Sequence, residues 1–473
     1  MNRSRLLITP VLLAALGTVV LAPARLDAQR TATQPDVGAL ADRVFSAYTP
    51  AGPGCTVGVA QGGRIVLERA YGLSDLESGT PLSPTSIIEA GSVSKQFTAA
   101  AVTLLALEGK LRFDDDVRKH FPELPAYERP ITVRMLLDHT SGLRDWGSLM
   151  GIAGWPRGTR AYTHPHVLEI IARQRSLNYP PGDQYSYTNS GYNLLAMLVE
   201  RVSGQPFPAF TKARLFDPAG MTRTSWRDDF RRVVPGRAQG YQPSPGGFRL
   251  DMPFENVFGN GGLLTTVGDL LRWNEVLTRR TLGGALVDSL ERQGVLTSGE
   301  RISYAAGLVV DEYRGTPRIG HSGATAGYRA YLARYPAQDH LSVAVLCNTS
   351  APAGPLTGRM VDGIAQGLAP APGAQTGNSN TGPSWQPTVA ELERLVGVYE
   401  SDEAGVRLTV ALNDGRLWLH RAPSTRSALV PAQAGAFQAL GLGRVWFTGV
   451  ESGAPQLHVG VDRVFDLVFT PAR

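Results

Sequence analysis

At 473 residues the chain exceeds one usual domain, and 43% hydrophobic with 18% charged content suits a soluble globular protein with one large and one smaller domain. A formal net charge of +5 without any basic run is too weak to point to nucleic acid. The two cysteines, Cys55 and Cys347, cannot build a zinc site by themselves.

The chain opens MNRSRLLITPVLLAALGTVVLAPARLDAQR, with Arg3 and Arg5 ahead of an apolar run and small residues at Ala22, Ala24 and Ala28 where a signal peptidase could cut. Residues 1–28 therefore read as an export signal, and the protein as periplasmic or secreted. The rival is an uncleaved membrane anchor, for which the run is short and broken by Pro10, so no stable membrane insertion is expected after removal of the signal. Cutting after Ala28 removes Arg3, Arg5, Arg25 and Asp27 and leaves about +3 of the formal +5. Export would permit Cys55 and Cys347 to pair; two free buried thiols are the alternative.

Next, GCTVGVAQGGRIVLERAYG reads as a hairpin around Gly62-Gly63, a pair suited to the positive φ of a tight turn. SKQFTAAAVTLLALEG and SGYNLLAMLVERVSG read as buried helices, each ending near a glycine. Strands return at ISYAAGLVVDEY, YRAYLARYP and LSVAVLCN. Strands at both ends with helices between predict an α+β domain over 33–367, its antiparallel sheet joining N- and C-terminal segments, flanked by helices and accompanied by a mostly helical lobe.

From 368 to 387 charge and periodicity vanish, as in a linker. Beyond it, 388–473 contains VGVYES, VRLTVALN, RLWLHR, RVWFTGV, QLHVGV and FDLVFTP, the second and third joined through Asp414-Gly415. Short alternating strands of this kind predict a small antiparallel barrel or sandwich.

The chemistry is concentrated in GSVSKQFTAA, residues 91–100. A serine hydroxyl is a poor nucleophile until a base takes its proton, and a lysine serves only when neutral, which arginine cannot be. The chain has four lysines among 46 basic residues, so Lys95 inside a buried-looking helix stands out. Residues three apart share a helix face, which pairs Ser92 with Lys95 and turns Ser94 elsewhere. Ser92 also lies at a helix start, where free N–H groups favour a developing oxyanion. An N-cap serine followed by a solvated lysine would give the same spacing.

Further elements accompany it. Tyr187-Thr188-Asn189 precedes a helix, His321-Ser322-Gly323 precedes a strand, and LLDHTSGL and GNGGLLTTVGDLLRW lie between. In order and spacing from about Val37 to Gly367 these motifs resemble the serine β-lactamase and penicillin-recognising family, in particular class C β-lactamases and their DD-peptidase relatives. The resemblance implies Ser92 as nucleophile, Lys95 as its proton acceptor and Tyr187 as a second acid/base that helps protonate the leaving group and activate water. It further implies that Asn189 holds the substrate amide, that His321 and Gly323 line the substrate side, and that the N–H groups of Ser92 and Ala324 form an oxyanion hole. No cofactor or metal is implied.

Tyr185 is the rival for Tyr187 but lacks the asparagine two residues on, and His458-Val459-Gly460 lies beyond the linker. His139 reads as a turn brace, and His164-Pro165-His166 lacks companions for a metal site. Class C β-lactamases carry lysine where His321 stands; histidine resembles the DD-carboxypeptidases, D-aminopeptidases and related esterases. The C-terminal piece resembles the lipocalin-like domain of D-aminopeptidase-type and D-peptide-cleaving relatives, with a structural cover or oligomer contact favoured as its role over independent ligand binding. These features favour a hydrolase of D-residue peptides or esters over a β-lactamase, with a non-catalytic peptide-binding or scaffolding homologue as the reading from another class.

Overall fold

Gly62 and Gly63 take φ values of 56° and 77°, which let β1 (Cys55–Gln61) reverse directly into β2 (Arg64–Tyr71). The computed structural model describes residues 36–370 and 385–472, so the expected export signal and most of the expected linker lie outside the described residues. Strands β3 (Val309–Tyr313), β4 (Thr316–Thr325), β5 (Tyr328–Tyr335) and β6 (Leu341–Cys347) join the hairpin in one antiparallel sheet, ordered β3-β4-β5-β6-β1-β2. The last of these strands thus lies beside the first, and Cys55 faces Cys347 across the pair in a disulfide.

The main helices are α1 (Val37–Val44), α2 (Lys95–Leu107), α3 (Asn189–Ser203), α4 (Val267–Arg279) and α5 (Ala353–Ile364). Side chains alternate across a strand, so Cys55, Val57, Val59, Val343 and Val345 pack with α1 and α5 on one face of the sheet. On the other face α4 comes so close that a Cβ on Gly58 would lie 2.8 Å from Leu271 Cδ1. Helices α2 and α3 pack together at the centre of the helical lobe. Thr188 caps α3 by accepting from the Ser190 N–H, and Gly204 ends it at φ 69°.

One strand is shorter than the sequence predicts. β3 begins at Val309 rather than 302, because Gly307 turns at φ 74° against α2, where a Cβ would lie 2.6 Å from the Lys95 carbonyl carbon. Residues 302–308 instead carry Tyr304 to His321, whose Nε2 lies 2.9 Å from the Tyr304 hydroxyl.

The C-terminal piece is a closed barrel of eight strands paired in chain order: β7 (Gly397–Ser401), β8 (Val406–Asn413), β9 (Arg416–Arg421), β10 (Thr425–Gln433), β11 (Ala436–Ala439), β12 (Gly443–Thr448), β13 (Gln456–Val461) and β14 (Val464–Pro471). Pairing of Tyr399 with Pro471 closes it, which selects a barrel over a sandwich. The six runs legible in the sequence are six of these strands. β10 and β11 escape a pattern reading because they are rich in alanine and interrupted by Pro431, where the register shifts. Barrel and helical lobe share one buried apolar cluster. Among the described residues no helix is long and apolar enough to cross a membrane.

The Cys55–Cys347 link spans 292 residues of sequence. Replacing both cysteines by serine is expected to lower the unfolding free energy by about 2–5 kcal/mol, read from urea unfolding of the oxidised parent and the double variant. Alkylation of the denatured, unreduced parent should find no free thiol.

Candidate active site

Ser92 lies in a 3-10 turn, Gly91–Ser94, immediately ahead of α2. Pairing of β4 with β3 stops at Gly320, and the turn lies along the edge left free. Two glycines allow the approach. A Cβ on Gly91, at φ 51°, would lie 2.6 Å from Ala324 N, and one on Gly323 would lie 2.0 Å from Ala90 O. Ser92 and Ala324 are thereby brought to the rim of one cleft of about 720 Å³, which Tyr187, Asn189, His321 and Gly323 also line.

Lys95 is fully buried, and its Nζ meets three oxygens: Asn260 O at 2.7 Å, Asn189 Oδ1 at 3.0 Å and Ser92 Oγ at 3.3 Å. Burial pushes the amine well below its ordinary value of 10.5; the nearby charges of Arg463 and Arg157 push the same way, against Asp145. A neutral amine has two hydrogens and one lone pair. The two amide oxygens can only accept, so they take the hydrogens and leave the lone pair for the hydroxyl proton of Ser92. This geometry can draw that proton from the serine.

Each partner is itself held. Asn189 opens α3, and its N–H donates to Asp145 Oδ2 at 2.7 Å, while Asp145 Oδ1 caps the helix Trp146–Ile152 at the Ser148 N–H. Asn260 Oδ1 accepts from Asn193 Nδ2 at 2.7 Å. Tyr187 stacks near Lys95, its ring centroid 4.7 Å from Nζ, and its buried hydroxyl has no hydrogen-bond partner among the described residues. Burial raises the Tyr187 pKa; Ser92 lies near enough to oppose the rise, without a hydrogen bond of normal geometry. The phenol therefore keeps its proton near neutral pH.

His321 lines the cleft but is committed to the protein. Burial holds its pKa at about 4, so the ring is neutral. Nδ1 lies 2.5 Å from Ser322 O and must donate to it, which leaves Nε2 to accept from the Tyr304 hydroxyl at 2.9 Å. Neither nitrogen is left to donate to a substrate anion.

The other candidates separate clearly. Tyr185 lines the cleft at 41% exposure, away from the buried pocket of Lys95. His139, at φ 62°, accepts the Thr188 N–H on Nδ1 and sets its ring 4.3 Å from that of Tyr187, a brace beneath the site. His164 accepts from the Phe258 N–H, and His166 caps the helix His164–Ala172. His458 sits in the barrel wall between Thr448 and Asp466. Asp145, Asn260, Tyr304 and Arg463, which also meet at the site, were not singled out by sequence. Only Asn260, inside the GNGG stretch, carried a local signal.

Similarity to known proteins matches this architecture. A family model described as Beta-lactamase covers residues 41–362. The chain belongs to the beta-lactamase family. A D-aminopeptidase of Cereibacter sphaeroides (strain KD131 / KCTC 12085) is 31% identical over 308 residues, covering 64% of this chain and 58% of the relative. Penicillin-binding protein 4* of Bacillus subtilis (strain 168) is 32% identical over 299 residues, covering 59% and 65%. The chain therefore spans less than two thirds of the length of these curated relatives. In fold it resembles the octameric penicillin-binding protein homologue from Pyrococcus abyssi, with TM-score 0.60 at 22% identity over 92% of this chain and 100% of that one. The D-amino acid amidase from Ochrobactrum anthropi SV3 gives 0.57 at 20% identity over 70% and 98%.

The approach of turn to strand is testable. Gly323→Ala must separate β4 from Ala90 and is expected to slow labelling of Ser92 by a fluorophosphonate by about 100-fold, the scale of a lost oxyanion donor. Pseudo-first-order labelling rates of parent and variant provide the comparison.

Proposed function

We propose that this protein is an exported serine hydrolase that cleaves D-residue-containing peptides or esters through an acyl-enzyme on Ser92. The observation that carries the reading is the buried Lys95 amine, held by two oxygens that can only accept and 3.3 Å from Ser92 Oγ, where burial pushes it toward the neutral form. D-aminopeptidase and penicillin-binding relatives support a hydrolase of this class. The Cys55–Cys347 disulfide supports an oxidising compartment and hence export.

Ser92 Oγ attacks the substrate carbonyl as its proton passes to Lys95, and the carbonyl oxygen takes the negative charge facing the N–H groups of Ser92 and Ala324. The tetrahedral species expels an amine or alcohol, which receives the proton from the protonated Lys95 through the Tyr187 hydroxyl. Water then attacks the ester on Ser92, giving its proton back along the same route, and the acid leaves with Ser92 regenerated. Asn189 Nδ2, which makes no hydrogen bond to the described residues, is the group that holds the substrate amide. Gly323 and His321 wall the cleft beside it.

Efficient β-lactam hydrolysis fits less well, since the strand position holds a neutral imidazole where class C enzymes carry lysine. A non-catalytic scaffold has no use for a buried amine, pushed toward its neutral form, beside a serine.

Lys95→Arg cannot become neutral and is expected to abolish fluorophosphonate labelling in a protein with unchanged circular dichroism; near-normal turnover would overturn the reading. The pH dependence carries a sign. Lys95 works deprotonated, so kcat/KM falls as pH drops through its pKa, and burial places that limb well below the ordinary 10.5. His321, at about 4, adds no step near neutral pH.

A further inference from the structure

Among the described residues that line the main cleft there is no Asp or Glu, whereas Arg157, Arg329 and Arg463 all reach it. Two of these cations are engaged by the protein. Arg157 pairs with Glu255, and Arg329 donates to the carbonyls of Ala326 and Tyr328 at 2.7 Å and to Ser350 Oγ at 3.3 Å. Arg463 differs. It stands in the turn between β13 and β14, and its guanidinium carbon lies 4.9 Å from the centroid of the Tyr187 ring. The side chain donates no hydrogen bond to the described residues. Its acidic neighbour is Asp462 of the same turn, 3.5 Å from Nε and 92% exposed, a contact that water screens.

The turn that carries it is held firmly. The Arg463 carbonyl accepts from the Asp145 N–H at 3.2 Å and from Asn178 Nδ2 at 3.1 Å, and Asn178 Oδ1 accepts the Phe465 N–H at 2.9 Å. Arg144, next to Asp145, pairs with Glu403 and donates to the Asp466 carbonyl. The carboxylate that fixes Asn189 thus belongs to the residue whose N–H fixes the barrel arginine.

We propose that Arg463, delivered by the barrel, binds the free C-terminal carboxylate of the residue that is expelled, so that the protein acts on peptides or N-acyl amino acids as a carboxypeptidase and does not read a free N-terminal amine. This rests on the Ser92 hydrolase reading above. The side of the cleft follows from Tyr187: a phenol that passes the proton to the leaving nitrogen lies beside the leaving residue, and Arg463 packs on that ring. His321 cannot serve, because both its nitrogens are engaged. A substrate ammonium would find no carboxylate in the cleft and would meet the charge of Arg463. In the reaction the scissile C–N bond breaks, the Ser92 Oγ–C bond forms, the leaving residue departs with its amine protonated and its carboxylate on Arg463, and water later supplies OH to the acyl carbon.

The test compares N-acetyl-D-alanyl-D-alanine, its C-terminal amide, and D-alanyl-D-alanine amide on parent, Arg463→Ala and Arg463→Lys. The expected parent kcat/KM favours the acid over its amide by at least about tenfold, the scale of a charge-assisted hydrogen bond. In Arg463→Ala that ratio falls to within about threefold of unity, and Arg463→Lys retains part of it. Equal rates on acid and amide in the parent, a preference for the free amine, or a ratio unchanged in Arg463→Ala would overturn the proposal. Fluorophosphonate reports Ser92 separately, having no carboxylate. A parent that is labelled but cleaves none of the peptides refutes the carboxylate assignment alone, whereas an unlabelled parent refutes the hydrolase reading with it.

Discussion

The site depends on one buried amine that has no carboxylate in contact among the described residues. Lys95 would carry its charge in water; inside the junction of α2, α3 and the 259–262 loop burial pushes it toward the neutral form, in which its three oxygen partners fix which way its lone pair points. Much of the surrounding fold serves that arrangement. Gly259, at φ 91°, lets the loop bearing Asn260 press onto α3, where a Cβ would lie 2.6 Å from Ala196 Cβ. Asp145 fixes the first N–H of α3 and with it Asn189. Gly307 lets the chain that follows Tyr304 turn against the Lys95 backbone.

The barrel is tied into the same arrangement. Arg144 is nearly inaccessible in its pair with Glu403, whose other oxygen accepts the N–H groups of Arg175 and Ser176 at 2.6 and 3.0 Å. A buried pair of this kind contributes little net stability, yet it fixes geometry, since removing one partner strands the other charge. Backbones meet as well: Gly154 approaches the barrel so closely that a Cβ would lie 1.9 Å from Ala422 O. Contacts this specific set the β13–β14 turn against Asp145, one residue from the Arg144 clamp, and place a cation over Tyr187.

The parts legible in the sequence are those whose chemistry is local. Ser92 and Lys95 sit three residues apart at a helix start, Tyr187 and Asn189 two residues apart at another, and six barrel strands and every strand of the main sheet except β4 read as strand-forming runs; β4, which holds His321 and Gly323, does not. What escaped is created by tertiary approach. Tyr304 lies in a stretch that alternates like a strand, and only the turn at Gly307 shows that it is not one. His321 is recognisable in its motif, but its neutral, doubly engaged ring depends on Tyr304. Arg463 lies beyond the linker in a turn that no catalytic motif marks, and its position becomes meaningful only once the barrel docks.

The cation in the cleft and the base beneath it are electrostatically coupled. Arg463 is the largest of the charges that hold the Lys95 amine down, after burial itself. A substrate carboxylate on Arg463 would offset that charge and so raise the proton affinity of Lys95 at the step in which it must accept the proton of Ser92. A lysine at position 321 would place a second cation against the same amine and depress it further; the neutral His321 avoids that. Moving the permanent positive charge from the strand to the barrel turn therefore joins substrate recognition to activation of the base. A barrel that supplied only a cover would leave the two unconnected.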